Sequence, residues 1–289
     1  MYKWVYYGTS MDRFILSSSK IRVPRIIYGT AWKKAATAKL VSVAIQNGFR
    51  GIDTACQPRH YQEAGVGAAV AACLNEALSR RELYLQTKFT PLPGHDPQRI
   101  PYDPGAPLAQ QVAQSFATSL RNLQTDYVDC LILHSPLPDQ DQMTQVWDAM
   151  EQVFHSGGAR QLGISNCYDL ASLELLYQTA KVKPAVLQNR FYAQTGYDRE
   201  IREFCRQQAI IYQSFWTLSA NPRLLAHGSV AALAAKYART PAQVLFRYLT
   251  QNDVVPLTGT TSVAHMREDL EIFEFQLTDA EIEAVSSLL

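Results

Sequence analysis

Eight short β-rich runs recur along the chain, and a segment with helical periodicity separates each run from the next. The runs are residues 25–30, 50–54, 83–89, 127–133, 161–165, 185–189, 210–215 and 253–258. Between them, apolar residues fall at helical spacing, as in Val112, Phe116, Leu120 and Leu123. Eight strand–helix units in 289 residues favour a (β/α)8 TIM barrel, an α/β fold, over a doubly wound sheet.

We expect one domain over residues 1–289, because a chain of this length and composition can bury a large core. Residues 14–23 should form a short N-terminal hairpin that closes the floor of the barrel, preceded by an extra segment at residues 1–12. Residues 91–107 hold six prolines and two glycines, which predicts a long loop after the third strand. Residues 217–228 should form a similar loop after the seventh strand. Both loops should wall a site at the carboxyl ends of the strands.

Composition excludes several classes of partner. The net charge is +1, and the basic residues are scattered, which argues against binding of nucleic acid or of an anionic membrane. There is no apolar run long enough to span a bilayer and no signal-peptide core. Five widely spaced cysteines without a C-x-x-C pair argue against a disulfide framework and against a zinc site. We expect a cytoplasmic protein with reduced thiols, no metal and a small-molecule substrate.

Polar residues fall at the ends of successive strands. They are Asp53, Lys88, His134, Ser165, Asn166 and Gln188, with Tyr212 inside the seventh strand. One such residue usually only caps a loop, but leaving several unpaired would cost roughly 1–3 kcal/mol each. We therefore expect them to face one rim and to form a site.

These residue types favour proton transfer to a carbonyl oxygen. A lysine beside an aspartate stays an ammonium, and an ammonium near a phenol should lower the tyrosine pKa from about 10 toward neutrality. Such a tyrosine can donate a proton, while His134 can hydrogen-bond the carbonyl oxygen. The set has no nucleophile with its own base, no metal-ligand cluster and no carboxylate pair. This disfavours acyl transfer, metal-dependent hydrolysis and glycoside hydrolysis.

Five motifs, GFRGIDTA, LQTKF, LILHSP, GISN and VLQN, resemble in order and spacing those of the aldo-keto reductase superfamily, from about Ile21 to the end of the chain. The resemblance implies a barrel that binds a nicotinamide cofactor along its rim and reduces an aldehyde or ketone. It implies a catalytic tetrad of Asp53, Tyr61, Lys88 and His134. The implied cofactor contacts are Gly29, Thr30, Ser165, Asn166, Gln188, Tyr212 as a stacking ring, Thr258, Thr260, Thr261 and His265. Trp32 and His134 would line the substrate pocket, with a core aromatic as the equal alternative for Trp32.

The proton donor can be His60 or Tyr61. The usual family spacing places a tyrosine where this chain has Pro58, whereas counting backward from Glu63 points to His60. We favour Tyr61 because a nearby ammonium would disfavour a protonated imidazole but would stabilise a phenolate. This requires the extra loop residues to bulge outward through a turn at Gln57 and Pro58.

The cofactor site departs from the family pattern at the last strand. The family commonly has Pro-Lys-Ser and then an arginine, and these cations bind the adenosine 2′-phosphate. Here Leu257 replaces the lysine and His265 stands near the arginine. Residues 259–262 precede a helix whose N-terminus can bind an anion, and Arg223 or Arg267 can add charge. We expect NADP(H), with NAD(H) as the alternative.

Two other functions remain open. A nicotinamide-nucleotide-binding regulatory or scaffold subunit with little turnover is the first, because the spacing between Asp53 and Tyr61 is altered. The second is a barrel enzyme acting on phosphorylated sugars, which ranks last because Gly259 is the only glycine near the eighth strand. Because the chain stops at Leu289, directly after an amphipathic helix, we expect a pocket open on that side. We also expect a monomer or weak dimer.

Overall fold

The computed structural model describes residues 13–289, so the predicted extra segment at residues 1–12 lies outside the described residues. Eight parallel strands form a closed barrel in which the last strand pairs with the first. After hairpin strands β1 (Phe14–Leu16) and β2 (Arg22–Pro24), the barrel strands are β3 (Ile27–Gly29), β4 (Gly51–Asp53), β5 (Tyr84–Phe89), β6 (Cys130–Leu133), β7 (Leu162–Ser165), β8 (Val186–Arg190), β9 (Ile211–Phe215) and β10 (Val254–Thr258). Each barrel strand overlaps a predicted run. The predicted (β/α)8 barrel is confirmed.

Helices surround the barrel. They are α1 (Thr37–Asn47), α2 (Glu63–Cys73), α3 (Leu108–Leu123), α4 (Gln140–His155), α5 (Leu170–Thr179), α6 (Arg199–Gln207), α7 (Pro222–Leu225), α8 (Gly228–Tyr237), α9 (Pro241–Gln251), α10 (Val263–Leu270) and α11 (Asp279–Ser286). The Asp139 side chain begins α4 by accepting a hydrogen bond from the Gln142 amide, which satisfies a free helix donor. Within residues 13–289, none of the helices has the length and apolar character needed to cross a bilayer.

Side chains along each strand alternate between the barrel interior and the layer beneath the helices, because a strand has a period of two residues. On β9, Ile211 belongs to the inner apolar cluster and Tyr212 to the outer one. Gln213 bonds across the interior, and Phe215 packs against the inner cluster. The direction in which a strand residue points is therefore fixed by its parity.

The hairpin closes the amino-terminal end of the barrel, as predicted. Strands β1 and β2 pair antiparallel. Ile21 and Val23 share the inner cluster with Ile27, Tyr84 and Ile211, which are the first residues of three barrel strands. At the opposite end of the barrel, where the strands terminate, the loops that lead to the helices surround the opening.

The two predicted loops differ. Residues 91–107 contain only a 3-10 turn, as expected for a proline-rich segment. Residues 217–228, in contrast, hold helix α7, so the prediction of a simple loop is wrong there. Pro222 is tolerated at the first helical position, where its missing N–H leaves no bond unmade. Ahead of it, the Asn221 amide donates to the carbonyls of Phe191 and Thr217, which fixes this segment to the rim.

Candidate active site

An ion pair lies inside the carboxyl end of the barrel. Lys88 Nζ is 2.6 Å from Asp53 Oδ1 and also donates to the carbonyl of Thr54 at 2.9 Å. Both charged side chains are almost fully buried. Burial lowers the pKa of Lys88, while the negative charge of Asp53 opposes that effect. The pair joins the ends of β4 and β5.

Three glutamines, which we call the amide layer, hold Asp53 from inside the barrel. Gln86 Nε2 and Gln188 Nε2 donate to Asp53 Oδ1 at 2.7 and 3.0 Å. The same two nitrogens donate to Gln213 Oε1 at 2.8 and 2.9 Å. Gln213 Nε2 donates in return to Gln86 Oε1 at 3.0 Å. Donors aimed at a carboxylate stabilise its negative charge. Sequence reasoning missed Gln86 and Gln213, whose only signal is polarity at inward strand positions.

A tight turn carries Tyr61 into the site. The amides of His60 and Tyr61 both donate to the carbonyl of Gln57, at 3.2 and 3.0 Å. Pro58 and Arg59 are exposed, so the extra loop residues bulge outward as predicted.

Tyr61 lies against the ion pair. Its ring centroid is 5.2 Å from Lys88 Nζ and 6.0 Å from the centroid of the His134 ring. Burial and the charge of Asp53 raise the pKa of Tyr61 above its usual value. The predicted lowering of this pKa is therefore wrong, because burial first, and then the charge of Asp53, disfavour the phenolate.

His60 points elsewhere and packs on Trp32. The two ring centroids are 4.0 Å apart, and the Trp32 amide donates to the His60 carbonyl at 2.7 Å. Burial and the nearby Arg59 lower the pKa of His60. Trp32 is 58% exposed, so it is a wall of the rim and not a core aromatic.

His134 is held as a neutral imidazole beside Tyr61. Burial first, and then the charge of Lys88, lower the pKa of His134 well below its usual value. Its Nδ1 lies 2.7 Å from Thr90 Oγ1. With the Thr90 hydroxyl as donor, the ring proton resides on Nε2, the nitrogen that remains for a substrate.

Ser165, Asn166 and Gln188 come together at the ends of β7 and β8. Ser165 Oγ donates to the Gln188 carbonyl at 2.7 Å. Asn166 adopts a left-handed conformation, with φ of 55°, and its Nδ2 donates to the His134 carbonyl at 2.8 Å. Their contact with a cofactor stays a prediction.

Tyr212 does not face the rim. Its ring lies in the outer cluster, and its hydroxyl donates to Asp198 Oδ2 at 2.9 Å. The expectation that this ring faces a cofactor is wrong because Tyr212 has the parity of outward-facing residues. Phe215, at the carboxyl end of the same strand, is half-buried against the inner cluster and offers an aromatic face there.

Two threonines predicted at the cofactor use their hydroxyls inside the protein. Thr30 Oγ1 donates to the carbonyl of Asp53 at 2.8 Å, and Thr258 Oγ1 donates to Asp269 Oδ2 at 2.7 Å. Both threonines are buried, which argues against the predicted contacts through their hydroxyls. Gly29 is half-buried beside them, in register with Asp53.

The loop from β10 to α10 places the remaining predicted residues on one surface. Thr261 and His265 are exposed, and Thr260 Oγ1 lies 3.5 Å from His265 Nδ1. Ser262 caps α10 by accepting from the His265 amide. Leu257 packs in the inner cluster.

Residues 13–289 contain neither a metal-ligating cluster nor a disulfide. In that part of the chain, no group of three or more His, Cys, Asp or Glu side chains could hold a metal ion. All five cysteines are free thiols.

Comparison with known proteins identifies the family. The model of the aldo/keto reductase family matches residues 25–289. The chain belongs to the aldo/keto reductase family. It is 28% identical over 248 residues to a glyoxal reductase of Bacillus subtilis, covering 86% of this chain and 82% of that protein. It is 31% identical over 253 residues to the aldo-keto reductase Rv2971 of Mycobacterium tuberculosis, covering 87% and 82%.

A solved structure shares both family and fold. The crystal structure of an aldo/keto reductase from Brucella melitensis is similar with a TM-score of 0.81 and 26% identity. The match covers 96% of this chain and 99% of that chain. The polar residues described above therefore lie at the rim of an aldo/keto reductase barrel.

Proposed function

We propose that the protein reduces a small aldehyde or ketone to an alcohol, using NADP(H) and a proton from Tyr61. The observation that carries the proposal is the placement of Tyr61 beside the Asp53–Lys88 pair and His134 at the rim. Family membership supports a carbonyl substrate, and the glyoxal reductase relative favours a small one. The free cysteines fit a reducing compartment such as the cytoplasm.

The rim suits a nicotinamide nucleotide. Ser165, Asn166 and Gln188 carry hydroxyl and amide groups of the kind that match a carboxamide, although the Ser165 hydroxyl and the Gln188 amide nitrogen already donate within the protein. Phe215 offers an aromatic face nearby on β9. A bound nicotinamide cofactor would supply the hydride, which no side chain can supply.

Tyr61 acts as a neutral acid. Because burial raises its pKa, the hydroxyl keeps its proton at neutral pH, as a donor must. As negative charge develops on the substrate oxygen, the proton leaves Tyr61, and the ammonium of Lys88 stabilises the phenolate that remains. His134 orients the carbonyl oxygen by donating from Nε2.

The decisive variant is Tyr61→Phe, which removes the proton but keeps the ring. We expect carbonyl reduction to fall by about two orders of magnitude or more, the scale for loss of a general acid. Isothermal titration should show nearly unchanged cofactor affinity. His60→Ala is the neighbouring control and should stay active; an active Tyr61→Phe with an inactive His60→Ala would assign the donor to His60.

A panel of aldehydes and ketones that includes glyoxal separates an enzyme from a regulatory subunit. Oxidation of NADPH followed by absorbance should depend on the added carbonyl compound. Tight cofactor binding without turnover of any panel member would favour the regulatory alternative.

A further inference from the structure

Arg190 is a half-buried cation at the carboxyl end of β8, two residues beyond Gln188 on the same face of the strand. Gln188 bonds across the barrel interior to Asp53, so alternation along the strand places Arg190 above the ion pair. Two residues of a strand span about 6–7 Å. Arg190 therefore lies at the rim of the candidate active site.

Aromatic rings hold the guanidinium of Arg190 in place. Its Cζ is 4.0 Å from the centroid of the Trp216 ring and 5.2 Å from that of the Tyr192 ring. Trp216 is exposed and has a left-handed φ of 56°, a strained conformation for a bulky residue. A guanidinium that stacks on a ring keeps the N–H groups of its edge free. The rings thus fix the side chain without using its donors.

The guanidinium has no acceptor among the described residues. Over residues 13–289, Arg190 Nε is buried and makes no hydrogen bond. The ion pairs found over the same range all involve other residues, so no carboxylate of that range lies within 4.0 Å of Arg190. A buried N–H without an acceptor is unfavourable, and an anionic oxygen would remove that cost.

Tyr168 connects Arg190 to the residues around the ion pair. The Arg190 amide donates to the Tyr168 hydroxyl at 3.0 Å, and this hydroxyl donates to Asn166 Oδ1 at 3.3 Å. Asn166 Nδ2 in turn donates to the carbonyl of His134 at 2.8 Å. His134 is the proposed contact of the substrate oxygen, so a continuous chain of hydrogen bonds fixes Arg190 relative to the reacting carbonyl.

We propose that Arg190 binds a carboxylate carried by the substrate, so that the preferred substrates are aldehydes or ketones that also bear an acidic group. This inference rests on the proposed function and names its substrate class. A planar guanidinium forms two parallel N–H···O bonds with a carboxylate, which an uncharged substrate cannot match. Lys88 cannot take this role, because its charge is already paired with Asp53.

Succinic semialdehyde and its methyl ester test the inference, because they differ in charge only at the end away from the aldehyde. In wild type, kcat/KM for the acid should exceed that for the ester. Arg190→Met should lower kcat/KM for the acid at least tenfold and change that for the ester less than twofold. The ester thus reports folding and catalysis in the same variant. The matched control is Arg59→Met, an exposed arginine in the loop that carries Tyr61, which should change the acid-to-ester ratio less than twofold.

Isothermal titration of NADPH separates a substrate carboxylate from a cofactor phosphate. We expect Arg190→Met to bind NADPH as wild type does. A loss of NADPH affinity with an unchanged acid-to-ester ratio would overturn the inference, because it would assign the guanidinium to the cofactor. Equal losses with the acid and the ester would also overturn it, since a general defect of the rim produces that result.

The wild-type protein distinguishes failure of this inference from failure of the proposed function. Reduction of uncharged carbonyl compounds without any preference for the acid would overturn the inference alone. Wild type that reduces no carbonyl compound would overturn the proposed function and the inference together.

Discussion

Lys88 serves two neighbours at once. Its Nζ is 2.6 Å from Asp53 Oδ1 and 5.2 Å from the centroid of the Tyr61 ring. Because burial first, and then the charge of Asp53, raise its pKa, Tyr61 remains a protonated phenol. In the proposed reaction, the same ammonium would stabilise the phenolate left by proton transfer more than it stabilises the resting phenol.

Lys88→Met should therefore damage both stability and rate. The variant leaves Asp53 buried without its counter-charge, and we expect the free energy of unfolding to fall by about 3–5 kcal/mol. Carbonyl reduction should fall at least 100-fold, as is typical when a general acid loses its support. Urea denaturation and pH–rate profiles measure the two effects. Lys181→Met, at a lysine that is 79% exposed, is the control and should change neither; a pH–rate profile unchanged in Lys88→Met would show that Lys88 does not tune the acid.

Some site residues could be predicted from sequence and others could not, depending on whether their position in a strand fixes where the side chain points. Asp53, Lys88 and His134 could be identified because each is the polar residue at or next to a strand end. Tyr212 was misplaced because strand parity decides direction, and the boundary of an apolar run does not show parity.

The contact between β10 and α10 depends on a buried carboxyl group. Thr258 Oγ1 donates to Asp269 Oδ2 at 2.7 Å, and both residues are buried. Burial raises the pKa of Asp269 from 3.8 to about 6. The native state thus binds this proton more tightly than the unfolded state does, and the contribution of Asp269 to stability falls as pH rises from about 4 to about 6.

Asp269→Asn removes that pH dependence and can still accept the bond from Thr258. We expect the variant to gain stability relative to wild type by about 2 kcal/mol between pH 4 and pH 7, and no further above it. Guanidinium denaturation of both proteins at several pH values gives the difference directly. A difference that stays constant across this range would contradict a raised pKa.

At the level of elements, the sequence predicted the barrel strands and the hairpin because apolar β-rich runs and turn residues are local signals. Helix α7 was not predicted because Pro222–Leu225 is too short to show helical periodicity. Its position depends on the Asn221 side chain, which bonds to a carbonyl 30 residues earlier in the chain.

At the level of the whole molecule, the apolar packing of the hairpin and the polar candidate site lie at opposite ends of the barrel. Val23 is fully buried where the hairpin closes the amino-terminal end, and the polar site lies at the carboxyl ends of the strands. Substitutions at the floor should therefore change folding without changing the site.

Val23→Ala tests this separation. Loss of two buried methyl groups should cost about 1–3 kcal/mol of unfolding free energy, including the cavity left behind. Activity per folded molecule should stay within twofold of wild type. Leu16→Ala on the same hairpin is the control, since Leu16 is 62% exposed and should matter little. If kcat of Val23→Ala dropped sharply at a temperature where the protein is folded, the two ends would be coupled.

The global fold could be predicted from sequence because eight repeated units allow few closed arrangements. Contacts between side chains across the barrel interior could not be predicted in this way. Gln86 and Gln213 are 127 residues apart, and nothing local to either one indicates the other.

Because the amide layer includes residues from late strands, the candidate active site should be complete only when the barrel has closed. Asp53 and Lys88 come from adjacent early strands, whereas Gln188 and Gln213 come from β8 and β9. Without β8 and β9, Asp53 would keep Lys88 and Gln86 as donors but would lack Gln188, and Gln86 would lack its bonds to Gln213. Turnover should therefore report closure of the whole barrel. A partly closed barrel would hold the Asp53–Lys88 ion pair without the donors from β8 and β9, and we expect it to be inactive.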